Sequence, residues 1–179
     1  MANAGQSPRS FITYLFAAHI AQVLVDIETG EVRVERYIAC HDVGKAINPQ
    51  SVAGQMAGGA TQGIGMALME EVVNVDGVMK NPNFTDYILP TFRDIPQVEC
   101  VILENDDPGG PFGARGIGEP PLIAATPAVL SAIGHALGVM PHTTPCTPQR
   151  LWELLHPEEA EVPYDARFAH APGHAMMAK

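Results

Sequence analysis

The chain has 179 residues, which is enough for one domain of ordinary size with a hydrophobic core. Ten Lys and Arg residues against 20 Asp and Glu residues give a formal net charge of −10. This acidic balance excludes a general nucleic-acid binder and a polybasic membrane-surface protein, because both need basic surfaces. The composition, 46% hydrophobic and 17% charged, is that of a globular protein rather than a disordered one.

Cysteine usage and hydropathy predict the compartment. Cys40, Cys100 and Cys146 are far apart and form no CxxC pair, which excludes an iron–sulfur or zinc-ribbon signature within this chain. The odd number of cysteines and the lack of a secretory leader indicate a reducing compartment, with three buried structural thiols. No apolar run approaches the ~20 residues of a membrane helix. We therefore expect a cytoplasmic protein with no membrane partner.

The first elements are a β-hairpin and a helix. Residues 18–27 and 31–40 alternate between apolar and polar side chains, and the short loop between them contains Gly30, which is typical of a hairpin. Asn48 followed by proline predicts a helix start, since asparagine caps free N–H groups and proline suits the first helical position. This helix is expected to run to about Glu70.

The middle of the predicted helix is rich in glycine. Four glycines occur between residues 58 and 65, and each costs an isolated helix about 1 kcal/mol relative to alanine. Such a helix is stable only if another backbone or a bound ligand packs tightly against it. The sequence therefore predicts a buried glycine-rich helix.

The following elements are short. An Asp-Gly turn within residues 72–78 predicts a small hairpin, residues 81–96 are extended with loops, and residues 98–104 form another strand. Residues 106–121 form a glycine- and proline-rich loop without periodicity.

Two helices are predicted near the C-terminus. One opens with Thr126 as its cap and stops at Gly138, and a short one opens with Thr147 and runs through Leu155. Strand pairs mixed with separate helices favour an α+β fold. We expect a flexible N-terminus at residues 1–11, a folded part at residues 12–155 and a disordered tail at residues 156–179.

The loop at residues 109–121 carries the most distinctive chemistry. Its glycines bring the backbone close to a ligand and leave N–H groups free to face an anion. Arg115 supplies a fixed positive charge that suits a phosphate. Glu119, between a flexible Gly118 and two prolines, is a candidate general base. The alternative is a surface loop whose charges face water, and on residue chemistry alone this alternative is the commoner case.

Other candidates are weaker. Gln55, near the start of the glycine-rich helix, could bind a heterocycle edge with its amide, but a solvent-facing glutamine is the commoner case. His41 and Asp42 are neighbours on a strand, so they point to opposite faces, and we favour a structural pair. His170 and His174 have ligand spacing only in a helix, which the intervening proline disfavours. We expect no metal site on side chains of this chain.

Taken together, these motifs resemble the molybdenum-binding subunit of the xanthine dehydrogenase/aldehyde oxidoreductase family. The resemblance runs from about residue 12 to residue 155 with order and spacing kept. Its segments are HDVGKAINP at 41–49, GQMAGG at 54–59, QGIGMAL at 62–68, NFTDYILP at 83–90 and GPFGARGIGEPP at 110–121. The Gly-x-Gly-Glu-Pro-Pro motif within the last segment is the most specific, and it favours the functional interpretation of the loop.

The resemblance implies roles for single residues. Glu119 coincides with the family's catalytic glutamate, the general base of a hydroxylation that uses water. Gln55 coincides with the glutamine that hydrogen-bonds the molybdopterin cofactor, and main-chain groups near Arg115, Gly116 and Gly118 would lie along the pterin. Many family members carry lysine where this chain has Arg115, so the charge is kept.

The resemblance also implies partners. Subunits of this family are several times longer, and their substrate-orienting arginine and aromatic clamps have no counterpart in this chain. We therefore expect the C-terminal part of a large subunit. Its partners would be the remaining part of that subunit, an iron–sulfur subunit and a subunit that carries FAD. The substrate would be an aldehyde, a purine or an N-heteroaromatic compound.

A second hypothesis remains open at this point. A truncated, non-catalytic remnant, or an assembly module that keeps the fold, would have the same motifs. The substrate, the nucleotide form of the pterin and the electron acceptor are not determined by these residues.

Overall fold

A computed structural model describes residues 14–160 of the chain. The predicted flexible segment 1–11, and the tail from residue 161 onward, lie outside the described residues. Residues 156–160 are described and form a turn, in which Glu159 N–H donates to the carbonyl of His156. The proposed domain boundaries stay a prediction.

The N-terminal hairpin is confirmed. Strands β1 (Phe16–Val25) and β2 (Val32–Asp42) pair antiparallel, with a register shift between Gln22 and Val23. The connecting turn is held by the Asp26 side chain, and Gly30 adopts a φ of 75° there. A side chain at Gly30 would also collide with the carbonyl of Pro148, so this glycine lets the hairpin turn contact the C-terminal helix.

Strands β3 (Asn74–Val75) and β4 (Val78–Met79) form the small hairpin that the Asp-Gly turn predicts. Asp76 and Gly77 both have positive φ, as a tight two-residue hairpin turn requires. Residues 81–96 contain turns but no helix or strand, in agreement with the sequence.

The strand predicted at residues 98–104 is also present. Strand β5 (Val98–Leu103) pairs parallel with β2, giving a three-stranded sheet with the order β1-β2-β5. Helices cover one face of this sheet, which carries the buried Tyr37, Ala39 and His41 of β2. The chain crosses from β2 to β5 through the long helix, so a distant segment completes the sheet.

Helix α1 (Pro49–Leu68) is the central element of the core. The Asn48 side chain accepts a hydrogen bond from Ser51 N–H, and the helix ends two residues before the predicted Glu70. Met56, Ala60, Ile64 and Ala67 of α1 are fully buried. The predicted buried glycine-rich helix is confirmed.

The C-terminal helices differ from the prediction at one cap. Helix α2 (Pro120–Ile123) is followed directly by α3 (Ala125–Leu137), and α4 (Pro148–Leu155) comes last. Thr147 caps α4 as predicted, and Gly138 ends α3 with a φ of 70°. Thr126 does not cap α3, because its hydroxyl donates to the carbonyl of Gly63 instead.

Helices α2 and α3 also correct the expectation that no apolar stretch approaches the length of a membrane helix. Pro120–Leu137 forms an 18-residue helical stretch with a mean hydropathy of 1.3, which could cross a membrane by length and composition alone. The sequence predicted a loop to residue 121 and a helix start at Thr126, but α2 begins at Pro120 and Ala124 keeps helical backbone angles between α2 and α3. The stretch packs on α1 and β1. One such helix is weak evidence of a membrane span, since core helices of globular proteins meet the same criteria.

The fold class is confirmed as α+β. Hairpins, a mixed sheet and separate helices share one core, into which β2, α1, α3 and α4 all contribute buried side chains. Of the three free cysteines, only Cys146 is fully buried, so the expectation of three buried thiols is wrong for Cys40 and Cys100.

Candidate functional site

Two glycines of α1 are closed off by neighbouring backbone. A Cβ atom built on Gly59 would lie 2.6 Å from the Cβ of Pro121, and one on Gly63 would collide with the Cβ of Ala125. Helices α2 and α3 therefore lie directly on α1 at these positions. The expected tight packing against the glycine-rich helix is confirmed here.

Two other glycines of α1 face open space. A Cβ on Gly54 or on Gly58 would meet no atom within 4 Å, and both residues are exposed. They are four residues apart and so lie on one face of the helix. Gln55 lies beside this face and is itself exposed. The face offers bare backbone to an approaching group, which the core-facing glycines do not.

The glycine-rich loop is held against the end of β2 by its main chain. Arg115 N–H donates to the carbonyl of Val43 at 2.9 Å, and Lys45 N–H donates to the carbonyl of Gly113 at 2.8 Å. Gly44 has a φ of 65°, and a side chain there would collide with the carbonyl of Gly113. Gly44 therefore allows the close approach of the two backbones.

The Arg115 side chain lies between two carboxylates. Its Nη1 is 2.6 Å from Oδ2 of Asp42, and its Nε is 3.2 Å from Oδ2 of Asp107. All three side chains are largely buried, with exposed fractions of 14% for Arg115 and 11% for each aspartate. The guanidinium is therefore occupied within the protein and is not free to neutralise a phosphate. What remains for a cofactor is the main chain around Arg115.

The Asp42 carboxylate makes polar contacts with Gly44, Asn105 and Arg115. Burial opposes ionisation of its carboxyl group, but hydrogen bonds from Gly44 N–H and Asn105 N–H, together with the charge of Arg115, hold its pKa below the usual value. His41 points to the opposite face of the sheet and is buried. The structural role favoured for His41 and Asp42 agrees with these contacts.

Residues 116–119 lead from the loop into α2, and Gly116, Gly118 and Glu119 are exposed. A Cβ on Gly116 or on Gly118 would meet no atom within 4 Å, and Ile117 packs against the core between them. Glu119 has helical backbone angles, and its carbonyl accepts from Leu122 N–H at 3.0 Å. Within residues 14–160, the exposed Glu119 carboxylate has no hydrogen-bond or ion-pair partner. It is available to an incoming group.

The same helix crossing supports the regions that carry Gln55 and Glu119. Gln55 lies one turn before Gly59 on α1, and Glu119 lies two residues before Pro121, which contacts Gly59. The fold thus brings together two candidate regions that are 64 residues apart in sequence. The open glycines of both regions and these two polar side chains define one open face, which we call the cofactor face after the role that the family resemblance implies: Gly54, Gln55, Gly58, Gly116, Gly118 and Glu119.

The sequence analysis missed a buried cluster on the inner face of the sheet. Nδ1 of His19 is 2.7 Å from the hydroxyl of Tyr37, and its Nε2 is 2.7 Å from Nε2 of His41. Burial, and then the charge of His41, lowers the pKa of His19 to about 4. Burial also lowers the pKa of His41 and raises that of Tyr37. Because His19 pairs with Ala39, it lies on the same face of the hairpin as Tyr37 and His41, which are two residues to either side of Ala39. The predicted hairpin could therefore have indicated this cluster.

A separate cavity of about 320 Å³ lies beside α4 and is lined by Cys146, Leu151 and Leu154 among others. None of the predicted site residues lines it. Burial, only partly offset by the charge of Arg150, raises the pKa of the Cys146 thiol to about 11, which makes it a poor nucleophile. No cluster of three or more potential metal ligands occurs within the described part of the chain.

Comparison with known proteins identifies relatives of this arrangement. A family model described as the molybdopterin cofactor-binding domain matches residues 1–96. The chain is 40% identical over 144 residues to the xanthine dehydrogenase molybdenum-binding subunit of Escherichia coli O157:H7. It is 38% identical over 145 residues to the gamma subunit of the 6-hydroxypseudooxynicotine dehydrogenase complex of Paenarthrobacter nicotinovorans.

A solved structure shares the fold. Quinoline 2-oxidoreductase from Pseudomonas putida 86 superposes with a TM-score of 0.73 and 37% identity, over 77% of this chain and 18% of that one. The Escherichia coli and Paenarthrobacter matches each cover 79% of this chain, but 19% and 18% of those subunits. The chain therefore spans less than a fifth of the length of each of these relatives.

Proposed function

Since the chain belongs to the molybdopterin cofactor-binding domain family, among the molybdenum-binding subunits of xanthine dehydrogenases and aldehyde oxidoreductases, we propose that it forms one wall of a molybdenum hydroxylase active site. The observation that carries the proposal is the cofactor face. Its open glycines and two unengaged polar side chains occur at the crossing of α1 with α2.

The residues of this face fit the chemistry of molybdopterin. A flat, polar heterocycle needs bare backbone against its plane and hydrogen-bonding groups at its edge. Gly54 and Gly58 on the helix, with Gly116 and Gly118 on the loop, supply the bare backbone. The Gln55 amide can donate and accept at the edge. Main-chain groups near Arg115 contribute further contacts, because its side chain holds the loop rigid through Asp42 and Asp107.

Glu119 is the proposed general base. Its side chain is exposed, and it follows a flexible Gly118 and precedes two prolines that restrict the backbone. The bound cofactor supplies the redox chemistry that hydroxylates a substrate carbon with oxygen from water. Glu119 accepts the proton that this reaction releases, and its closeness to the reacting atoms is set by the contact of Pro121 with Gly59.

The electrons and the substrate involve other parts of the enzyme. We propose that electrons pass to iron–sulfur clusters on a partner subunit and from there to FAD where such a subunit is present. The names of the relatives include a xanthine dehydrogenase, a 6-hydroxypseudooxynicotine dehydrogenase complex and a quinoline oxidoreductase. We therefore propose a purine, an aldehyde or an N-heteroaromatic compound as the substrate, and a cytoplasmic site of action.

The second candidate is a non-catalytic module that keeps the fold. Such a module would match its relatives over the same short span, 19% of the Escherichia coli subunit. The presence of Glu119, Gln55 and all four open glycines favours the catalytic function, since a module selected for packing alone needs Gly59 and Gly63 but not Gly54 and Gly58.

The cofactor contact is tested by pairs of substitutions in the enzyme complex that contains this chain. Gly58→Ala and Gln55→Ala should lower the molybdopterin content of the purified complex, measured by fluorescence of the oxidised pterin. Neither change should weaken the fold, because both positions are exposed. Gly58→Ala places a methyl group where the cofactor is proposed to lie.

Gln97→Ala is the matched control, since Gln97 is exposed at the start of β5 and is not part of the cofactor face. It should leave the pterin content unchanged. Equal pterin content in the Gly58 and Gln55 variants and in the wild type would contradict the proposed cofactor face. A wild-type complex without pterin would favour the non-catalytic module.

A further inference from the structure

One face of the three-stranded sheet is apolar and exposed. The side chains of β1 that point away from the helices include Phe16, Ile20 and Leu24, which are between 57% and 69% exposed. On β5, Val101 and Leu103 are 42% and 45% exposed. Large apolar side chains on one face of a sheet are usually covered by another layer of protein. Within residues 14–160, the glycine-rich loop covers only Asp42 at the end of β2 on this side, and the side chains named above stay exposed.

Most of these side chains form a continuous surface across the strands, whereas Leu24 lies beyond the polar Gln22–Arg36 pair, beside Arg33. Ile20 is paired with Ile38 in the antiparallel ladder, and Cys40 lies between Ala18 and Val101. Directly paired residues point to the same side of a sheet. We call this surface the outer sheet face, and its members are Phe16, Ala18, Ile20, Ile38, Cys40, Val101 and Leu103.

Charged residues border the outer sheet face at both ends, with Asp42 beside Phe16 and Leu103 at one end and Arg36 and Glu99 at the other. Arg36 donates to Glu99 through Nε and Nη2, at 2.5 and 2.9 Å, and Arg33 forms an ion pair with Glu35. An apolar centre with a charged rim is the usual composition of a protein–protein interface. In addition, β1 is an edge strand of ten residues, and edge strands of this length are normally protected from further pairing.

We propose that the outer sheet face binds the remainder of the molybdenum-binding subunit. The occupant follows from the comparison of lengths. The region that matches this chain makes up 19% of the Escherichia coli subunit, so about four-fifths of that protein must pack around the same fold. This inference rests on the proposed function and adds the partner to it. The helical side of the sheet carries the cofactor face, and the opposite side carries the protein contact.

The experiment co-expresses the tagged 179-residue chain with a defined probe. The probe is the Escherichia coli xanthine dehydrogenase molybdenum-binding subunit from which the 144 matching residues have been deleted. The wild-type chain should recover the probe on affinity purification. Ile20→Glu and Val101→Glu should recover about tenfold less, because each places a charge at the apolar centre of the interface.

The matched control is Phe92→Glu, at an apolar residue that is 97% exposed in a loop outside the outer sheet face. It should recover the probe like the wild type. Ile20→Thr keeps a β-branched residue on the strand and should give an intermediate loss. Circular dichroism of each variant checks that the fold is retained, which we expect because the substituted side chains are exposed.

Several results would overturn the inference. One is a wild-type chain that does not recover the probe, and another is an Ile20→Glu variant that recovers it fully. A dimer of the chain alone that dissociates on Ile20→Glu would assign the face to a second copy. Failure of the proposed function is distinct from all of these, since it would leave a stable complex sensitive to Ile20→Glu but without pterin.

Discussion

Arg115 of the glycine-rich loop and Asp42 at the end of β2 form a buried ion pair, with 2.6 Å between Nη1 and Oδ2. The two residues are 73 positions apart in sequence. Their contact joins the loop that carries Glu119 to the edge of the sheet, and Asp107 completes it from within the same loop. The position of the loop thus depends on the charge of Arg115, which is held between two carboxylates.

Removal of this charge should destabilise the protein. Arg115→Leu leaves two buried carboxylates without their cation, so we expect a loss of about 3 kcal/mol or more in the free energy of unfolding. Arg115→Lys keeps the charge but not the two-sided geometry and should lose less. Urea unfolding measures both. The control is Arg33→Leu, whose ion pair with Glu35 is exposed and should contribute less than about 1 kcal/mol. Equal losses at Arg33 and Arg115 would contradict this role.

Neighbouring glycines of α1 should respond in opposite ways. Gly59→Ala forces a methyl group against Pro121, and we expect destabilisation of about 1–3 kcal/mol from overpacking. Gly58→Ala meets open space and should stabilise the helix by up to about 1 kcal/mol. Thermal unfolding of the two variants tests this difference in sign. A stabilising Gly59→Ala would show that α2 does not pack on α1 as described.

Acid should destabilise the fold in a defined window. The pKa of His19 is about 4 in the folded chain and near 6.5 in an unfolded one, so the unfolded state binds more protons between these values. Stability is therefore lost as pH falls from about 6.5 towards 4. His19→Gln should reduce this dependence in urea titrations at several pH values, whereas His142→Gln, at an exposed position, should not. An unchanged slope for His19→Gln would contradict the assignment.

The chain alone should not retain the cofactor. Gln55, Gly58 and Glu119 are all exposed, so under the proposed function this chain supplies one side of the site and a partner supplies the other. We expect no molybdenum above background by mass spectrometry in the chain purified alone. A stoichiometric amount of bound molybdenum would show that these residues hold the cofactor unaided.

Local signals in the sequence predicted most of the elements. Asn48 and Thr147 cap their helices as expected, because each hydroxyl or amide has a free N–H group within three residues. Thr126 has the same sequence signature, but the carbonyl of Gly63 takes its hydroxyl and α2 already provides the preceding helical turn. Thr126 therefore fails to cap α3 because of a contact with a distant segment, and such a contact cannot be predicted from the local sequence.

In the candidate site, too, the residue types could be predicted from local sequence, whereas the contacts between distant segments could not. Its residue types and spacing gave Glu119 and Gln55 as candidates, and the contact of Pro121 with Gly59 joins the segments that carry them. The sequence could not separate Gly58 from Gly59, since only the position of Pro121 decides which of the two faces open space. It also could not show that Arg115 is neutralised, because one of its two partners lies on a distant strand.

The most direct test of the account is turnover by a complex that carries Glu119→Gln. Dye-linked oxidation of an aldehyde, a purine and an N-heteroaromatic substrate should fall about 100-fold or more, as expected for loss of a general base. Molybdenum content and thermal stability should stay at the wild-type level, because the side chain is exposed and makes no hydrogen bond or ion pair within residues 14–160. Glu28→Gln, at an exposed hairpin turn, should retain full activity. Wild-type turnover by the Glu119→Gln complex would contradict the proposed catalytic function.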